Sequence, residues 1–254
     1  MPQTVESLKP PKRFYSGVSV AAASAGFAIH LDGRTPRTPA GRPLILPTRR
    51  LAQLVADEWS RQGDAIVFAS MPATRLAHTA IDGVAGVRDE IVALIVGAAE
   101  ADQICYFAEG AERLVKRQEA TWLPLIGWAH SELGLAFNRG AGVVPFDQPP
   151  ETLAALEAPA MAMDDFRLAG FALAAQSFGS VILALALERG RLGGAEAAAA
   201  AQLDETFQAS EWGEDEEAAA RRKSGLDEAI MLQAWFEALG PGGDPNLVTT
   251  STPD

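Results

Sequence analysis

The spacing of apolar residues changes near residue 48, and that change divides the chain. Before it, FYSGVSV (14–20) and FAIHLDG (27–33) are rich in β-formers, and Phe27, Ile29 and Leu31 alternate with other residues, the period of a strand with one buried face. Asp32-Gly33 is a hairpin-turn signal. Prolines follow at 36, 39, 43 and 47; lacking an N–H, they place their segments at edges and corners. A small, twisted antiparallel sheet is expected.

Thr48 then stands as an N-cap for a helix in which Leu51, Leu54, Val55 and Trp59 recur at helical spacing, with Gly63 as its stop. This helix should lay Trp59 on the sheet. From about residue 73 every segment reads as helix: 73–82, 84–101, 111–134, 151–158, 164–189, 195–211, 214–223 and 225–239. Pro124 either kinks the third of these or starts a new helix. Gly140 to Pro150 is the one long non-helical connection. The last helix ends at Gly240-Pro241-Gly242-Gly243, and the tail to Asp254 is expected to be disordered. The reading is α+β: a small β-rich N-terminal domain with one long helix (1–83), an all-helical bundle (84–240) and a disordered tail (241–254).

The stretch 168–187 runs for twenty residues without a charge, long enough to span a bilayer. Gln176, Ser177 and Ser180 interrupt it, and neither end carries a basic cluster or an aromatic belt. It is expected to be the core helix, buried on all sides, with no stable membrane insertion.

Net charge refines the picture. The chain carries −12 in total, against the basic surface that nucleic-acid binding needs. Residues 1 to 50 nevertheless hold eight Lys/Arg against Glu6 and Asp32, whereas Ala195 to Glu217 contains eight acids and no base. The lone Cys105 excludes an intramolecular disulfide, and MPQTVESLKPPKRFY resembles neither a signal nor a transit peptide. A cytoplasmic protein or a mature organellar one is expected.

Motifs for catalysis are missing. The chain has no GxxxxGK[ST] loop, GxSxG elbow or GxGxxG turn, and His30, His78 and His130 lie far apart. No cofactor, metal or catalytic residue is assigned. One polar face is a candidate: Arg75, His78, Thr79 and Asp82 in MPATRLAHTAID (71–82) line up on a helix. It reads as a hydrogen-bonded network joining the helix to a neighbouring domain, and as the basis of a competing class, a hydrolytic or metal-dependent enzyme.

The second candidate is EWGEDEEAAARRKSG (211–225), with five acids in its first seven positions and three bases in the next six. Acids at a helix start and bases further on complement the macrodipole, and Glu217 can pair with Arg221. Four consecutive acids, Glu214 to Glu217, point around a whole turn and cannot converge on one ion. What remains is a solvent-facing acidic knuckle with Trp212 at the Gly213 break, a docking surface. Its expected partner-binding residues are Glu211, Trp212, Asp215, Glu216 and Glu217.

A family resemblance rests on KRFY (12–15), LDGRTPRTPAG (31–41), Glu58-Trp59, MPATRLAHTAID (71–82), LVKRQEATWLPLIGW (114–128), SVILALALERG (180–190) and LDETFQASEWGEDEEAAARR (203–222). The chain resembles the chaperones that assemble the F1 sector of ATP synthase by binding its alpha subunit. That resemblance implies a β-rich N-terminal domain followed by an orthogonal helical bundle. It also implies a monomeric, non-enzymatic protein that holds new alpha subunits until beta subunits replace them, with its important glutamate at Glu216. Family members act in the mitochondrial matrix of eukaryotes, and a bacterial cytoplasmic version is expected here.

Overall fold

Strand β1 (Val18–Ala23) pairs antiparallel with β2 (Gly26–Leu31), Val18 opposite Leu31 and Ala23 opposite Gly26. Strand β3 (Ile45–Leu46) adds to the far side of β2, giving the order β1-β2-β3. Gly26 is required where these strands meet, since a Cβ there would stand 2.3 Å from the Leu46 carbonyl oxygen.

The expected first strand, 14–20, is displaced toward the C-terminus, and Asp32 is the reason. Its carboxylate accepts the amides of Ser16 at 3.0 Å and Gly17 at 2.7 Å, which removes both from any ladder. These donors hold the Asp32 carboxyl below the usual carboxylate range. Asp32-Gly33 does form a tight turn: φ is 47° and 80°, and Leu31 and Arg34 exchange both backbone hydrogen bonds. The β1–β2 reversal lies elsewhere, at Ser24-Ala25.

This computed structural model describes residues 10–142, 144–213 and 215–241, and the chain divides into units of Met1–Gly83 and Val84–Asp254. In the first unit the Thr48 hydroxyl accepts the Leu51 amide at 3.0 Å to start α1 (Arg49–Ser60). Leu51, Ala52, Val55 and Ala56 are buried, and α1 packs on all three strands. Trp59, also buried, meets Tyr15 and Phe68 edge-on at 5.8 and 6.0 Å. Helix α2 (Pro72–Asp82) follows with proline in its first turn.

The second unit contains α3 (Arg88–Glu100), β4 (Tyr106–Phe107), α4 (Glu112–Leu133), β5 (Gly140–Ala141) and α5 (Pro150–Ala162). It continues through α6 (Asp165–Phe178), α7 (Val181–Glu188), α8 (Gly194–Ala201), α9 (Leu203–Trp212) and α10 (Glu216–Leu239). Helix α7 is its centre. All eight of its residues are buried, and α3, α4, α6, α8 and α10 surround it. The pattern missed one small element here, a parallel pairing of β4 with β5 that sets Tyr106 against Gly140.

Four helix assignments differ from the pattern. The expected helix 164–189 breaks in two: Gly179 ends α6 with φ 59°, and the Ser180 hydroxyl accepts the Leu183 amide at 3.0 Å to begin α7. The expected helix 195–211 breaks at Gln202. Conversely, 214–223 and 225–239 merge into α10, where a Cβ on Gly225 would come within 2.5 Å of Gln202 Nε2. Gly225 admits a neighbour there and does not stop the helix. Pro124 starts no new helix, since α4 continues through it. Among the described residues, no helix is long and apolar enough to cross a membrane. The expected tail, 241–254, lies outside the described residues apart from Pro241.

Candidate partner-binding site

The acidic knuckle stands where α9 gives way to α10. Two arginines of α4, Arg113 and Arg117, lie over the Phe207 ring at 6.0 and 5.5 Å, a cation–π contact that holds α9 on α4. Gly213 then ends α9 at φ 92° and ψ 162°, a backbone region open to glycine. The Asp215 carboxylate accepts the Ala218 amide at 2.7 Å and caps α10. Helix α10 packs against α8 and α6. At Gly194, at the start of α8, a Cβ would fall 2.5 Å from the Ala229 carbonyl oxygen of α10, so the knuckle rests on closely packed helices.

The five expected binding residues share this surface but are not equivalent. Glu211 pairs with Arg113 at 3.1 Å, Glu217 pairs with Arg221 at 2.8 Å, and Asp215 serves as the cap. These three have internal roles. Glu216, the first residue of α10, is exposed and engages no hydrogen-bond or ion-pair partner among the described residues. Trp212, the last residue of α9, is 80% exposed. Glu214 lies outside the described residues. An exposed tryptophan four residues before an unengaged carboxylate is a combination that partner surfaces use and interiors do not.

The other polar face forms part of the expected hydrogen-bonded network. Asp82 accepts the Thr38 hydroxyl at 2.6 Å and the Ala40 amide at 3.0 Å, tying α2 to the proline-rich loop of the same unit. These two bonds lie within the first unit. The Thr79 hydroxyl donates to the Arg75 carbonyl at 3.2 Å. His78 lies against the Phe68 ring at 6.3 Å, and burial lowers its pKa. Among the described residues, no group of three or more His, Cys, Asp or Glu side chains could hold a metal ion.

Sequence reasoning missed two buried carboxylates that position helices. Glu58 receives the N-terminus of α2, and Asp102 accepts the Ile182 amide at 3.0 Å at the start of α7.

The comparisons with known proteins fit this architecture. The sequence profile of the ATP12 chaperone protein matches residues 12–130. The structure superimposes on Atp12 from Paracoccus denitrificans with a TM-score of 0.84 at 37% identity, covering 90% of this chain and 98% of that one.

This chain belongs to the ATP12 chaperone family.

A single-substitution mutant of the same P. denitrificans protein matches equally well in fold, at 36% identity. A protein of Agrobacterium tumefaciens described as a candidate chaperone aligns at 42% identity with a TM-score of 0.85, covering 90% of this chain and 86% of that one. The mitochondrial atp12 protein of Schizosaccharomyces pombe is 27% identical over 219 residues, 82% of this chain and 75% of its own length. As an ATP12 family member the protein is a chaperone, built as a β-rich N-terminal region followed by a helical bundle.

Proposed function

We propose that this ATP12-family chaperone assembles the F1 sector of ATP synthase in the bacterial cytoplasm. As a monomer, it binds the unassembled alpha subunit and keeps it from aggregating until the beta subunit takes its place. One observation carries the choice of site. Trp212 is 80% exposed, and Glu216, four residues on, is an exposed carboxylate without a hydrogen-bond or ion-pair partner among the described residues. The alpha subunit alone exposes apolar surface destined for beta, an aggregation hazard. A chaperone bound there must later leave, which suits a modest interface with an aromatic anchor and a charged rim.

The test is capture of purified alpha subunit by the immobilised protein. Glu216→Gln keeps the shape and removes the charge, and Trp212→Ala removes the anchor. Each should weaken capture by about tenfold or more, one such factor corresponding to about 1.4 kcal/mol, with circular dichroism and melting unchanged. Undiminished capture by both variants would move the docking surface elsewhere. Failure of the wild-type protein to capture alpha would refute the choice of client.

A further inference from the structure

A second surface, on α3 and α5 rather than on α9 and α10, has the makings of a docking groove. The two helices pack side by side and enclose an open trough of about 330 Å³. Ala93, Val96 and Gly97 of α3 and Met161 of α5 supply its apolar lining. Met161 is 37% exposed there, an apolar side chain left in water. A Cβ on Gly97 would meet nothing within 4 Å, so no neighbour within the chain requires glycine at this point of the helix.

The electrostatics of the trough have one sign. Asp89, Glu100 and Glu157 line it, all exposed and none engaged in a hydrogen bond or ion pair among the described residues. Helix α5 contains no Lys or Arg, and α3 contains only Arg88. That guanidinium donates to the carbonyls of Met161 and Met163 and pairs with Asp165. The groove therefore offers apolar contact framed by carboxylates, with the one base of its two helices, Arg88, already engaged.

We infer that this groove receives an amphipathic helix of a partner protein, one whose apolar stripe is flanked by Lys and Arg. An apolar stripe would fill the trough and cover Met161, in the helix-in-groove mode. Flanking bases would meet the three carboxylates, which discriminates against acidic helices and speeds encounter. The surface is distinct from the 211–217 knuckle, so a client held there could be gripped at a second point, with the gain in avidity that linked sites give.

The test uses the full chain and two fluorescein-labelled helical peptides of about 18 residues, five turns long. Both carry the same leucine stripe, flanked by Lys in one and by Glu in the other. The Lys peptide should bind at least about tenfold tighter and shift the methyl resonances of Ala93, Val96 and Met161. Gly97→Leu, which fills open space on an exposed helix face, should weaken that binding about tenfold without lowering Tm. The triple variant Asp89→Asn, Glu100→Gln, Glu157→Gln should abolish the preference for Lys. Four results would overturn the inference: no binding, equal binding of the two peptides, methyl shifts that map to α9 and α10, or insensitivity to Gly97→Leu. Self-association of the chain that Gly97→Leu abolishes would replace the partner helix with a second copy. Because Gly97 and Glu216 lie on different elements, losing one binding activity leaves the other measurable.

Discussion

Glu58, buried on α1, closes the N-terminus of α2 through Thr74. Its carboxylate accepts the Thr74 amide and hydroxyl, each at 2.7 Å, and the Ala73 amide at 2.8 Å. No side chain at the start of α2 caps that helix, so an acid from another helix takes on the task. Burial raises the Glu58 pKa even against these donors, which shows how fully the group is withdrawn from water.

Removing this acid should therefore destabilise the N-terminal unit. Glu58→Ala leaves two amides and a hydroxyl buried without an acceptor, at a cost of roughly 2–5 kcal/mol. Thr74→Val deletes only the hydroxyl bond and should cost about 1 kcal/mol. Urea unfolding of both variants measures the difference. Equal, small losses would mean that water replaces the carboxylate.

Adjacent acids in the knuckle should separate stability from binding. Asp215→Ala removes the cap of α10 and should lower stability by about 1 kcal/mol. Glu216→Gln breaks no hydrogen bond or ion pair among the described residues, so its stability should stay within about 0.5 kcal/mol of wild type. Thermal melts of the two variants, set beside capture of the alpha subunit, check this. A destabilised Glu216→Gln would give that residue a structural role instead.

A buried ion pair locks the end of the bundle. Arg167 on α6 pairs with Glu188 at the end of α7 and donates to the Gly240 carbonyl at 2.6 Å. Arg167→Met leaves the buried Glu188 carboxylate with only the half-exposed Arg189, 3.0 Å away, and should cost about 3 kcal/mol. The double variant Arg167→Met, Glu188→Leu should recover most of that loss, because it removes both charges. Chemical denaturation of the single and double variants decides whether the pair itself stabilises the fold.

Asp102 should write a pH dependence into stability. Desolvation raises its carboxyl to about 6, although amides of Ile182, Ile104 and Val181 and the Ser180 hydroxyl pull it down. The folded pKa exceeds the unfolded one, so the folded state holds the proton more tightly. Stability from this group is therefore greatest below about pH 4, falls as pH rises through about 6, and is level above; a shift of about two units corresponds to roughly 3 kcal/mol. Wild type should exceed Asp102→Asn in stability by more at pH 4.5 than at pH 7.5, the measurements being made by urea titration. A difference independent of pH would show that the carboxyl titrates normally.

Much of this fold was legible in local patterns. Alternation marked β2, Thr48 marked the start of α1, and the uncharged run 168–187 pointed to the buried centre. These features depend on a residue and its near neighbours in sequence, through periodicity, caps and intrinsic turn preference. The acidic knuckle was legible for the same reason, since Trp212, Gly213 and the charges that follow are contiguous.

Other decisions belong to contacts between distant segments. Gly179 ends a helix while Gly225 sits inside one, because Gln202 crosses over Gly225 and no local rule records that approach. The strand start moved from 14 to 18 because Asp32, far along the chain, claims the amides at 16 and 17. Of the knuckle acids, the charge pattern could not separate Glu216 from Glu211, a choice that came only from the family resemblance, since the physical distinction rests on Arg113 of α4 pairing with Glu211. Sequence alone thus determined the α+β order, the core and the acidic surface, because each follows from short-range periodicity and composition. Tertiary structure alone decided which carboxylates cap, which pair and which stay free, because a charge is engaged only by a partner that the folded chain brings within reach.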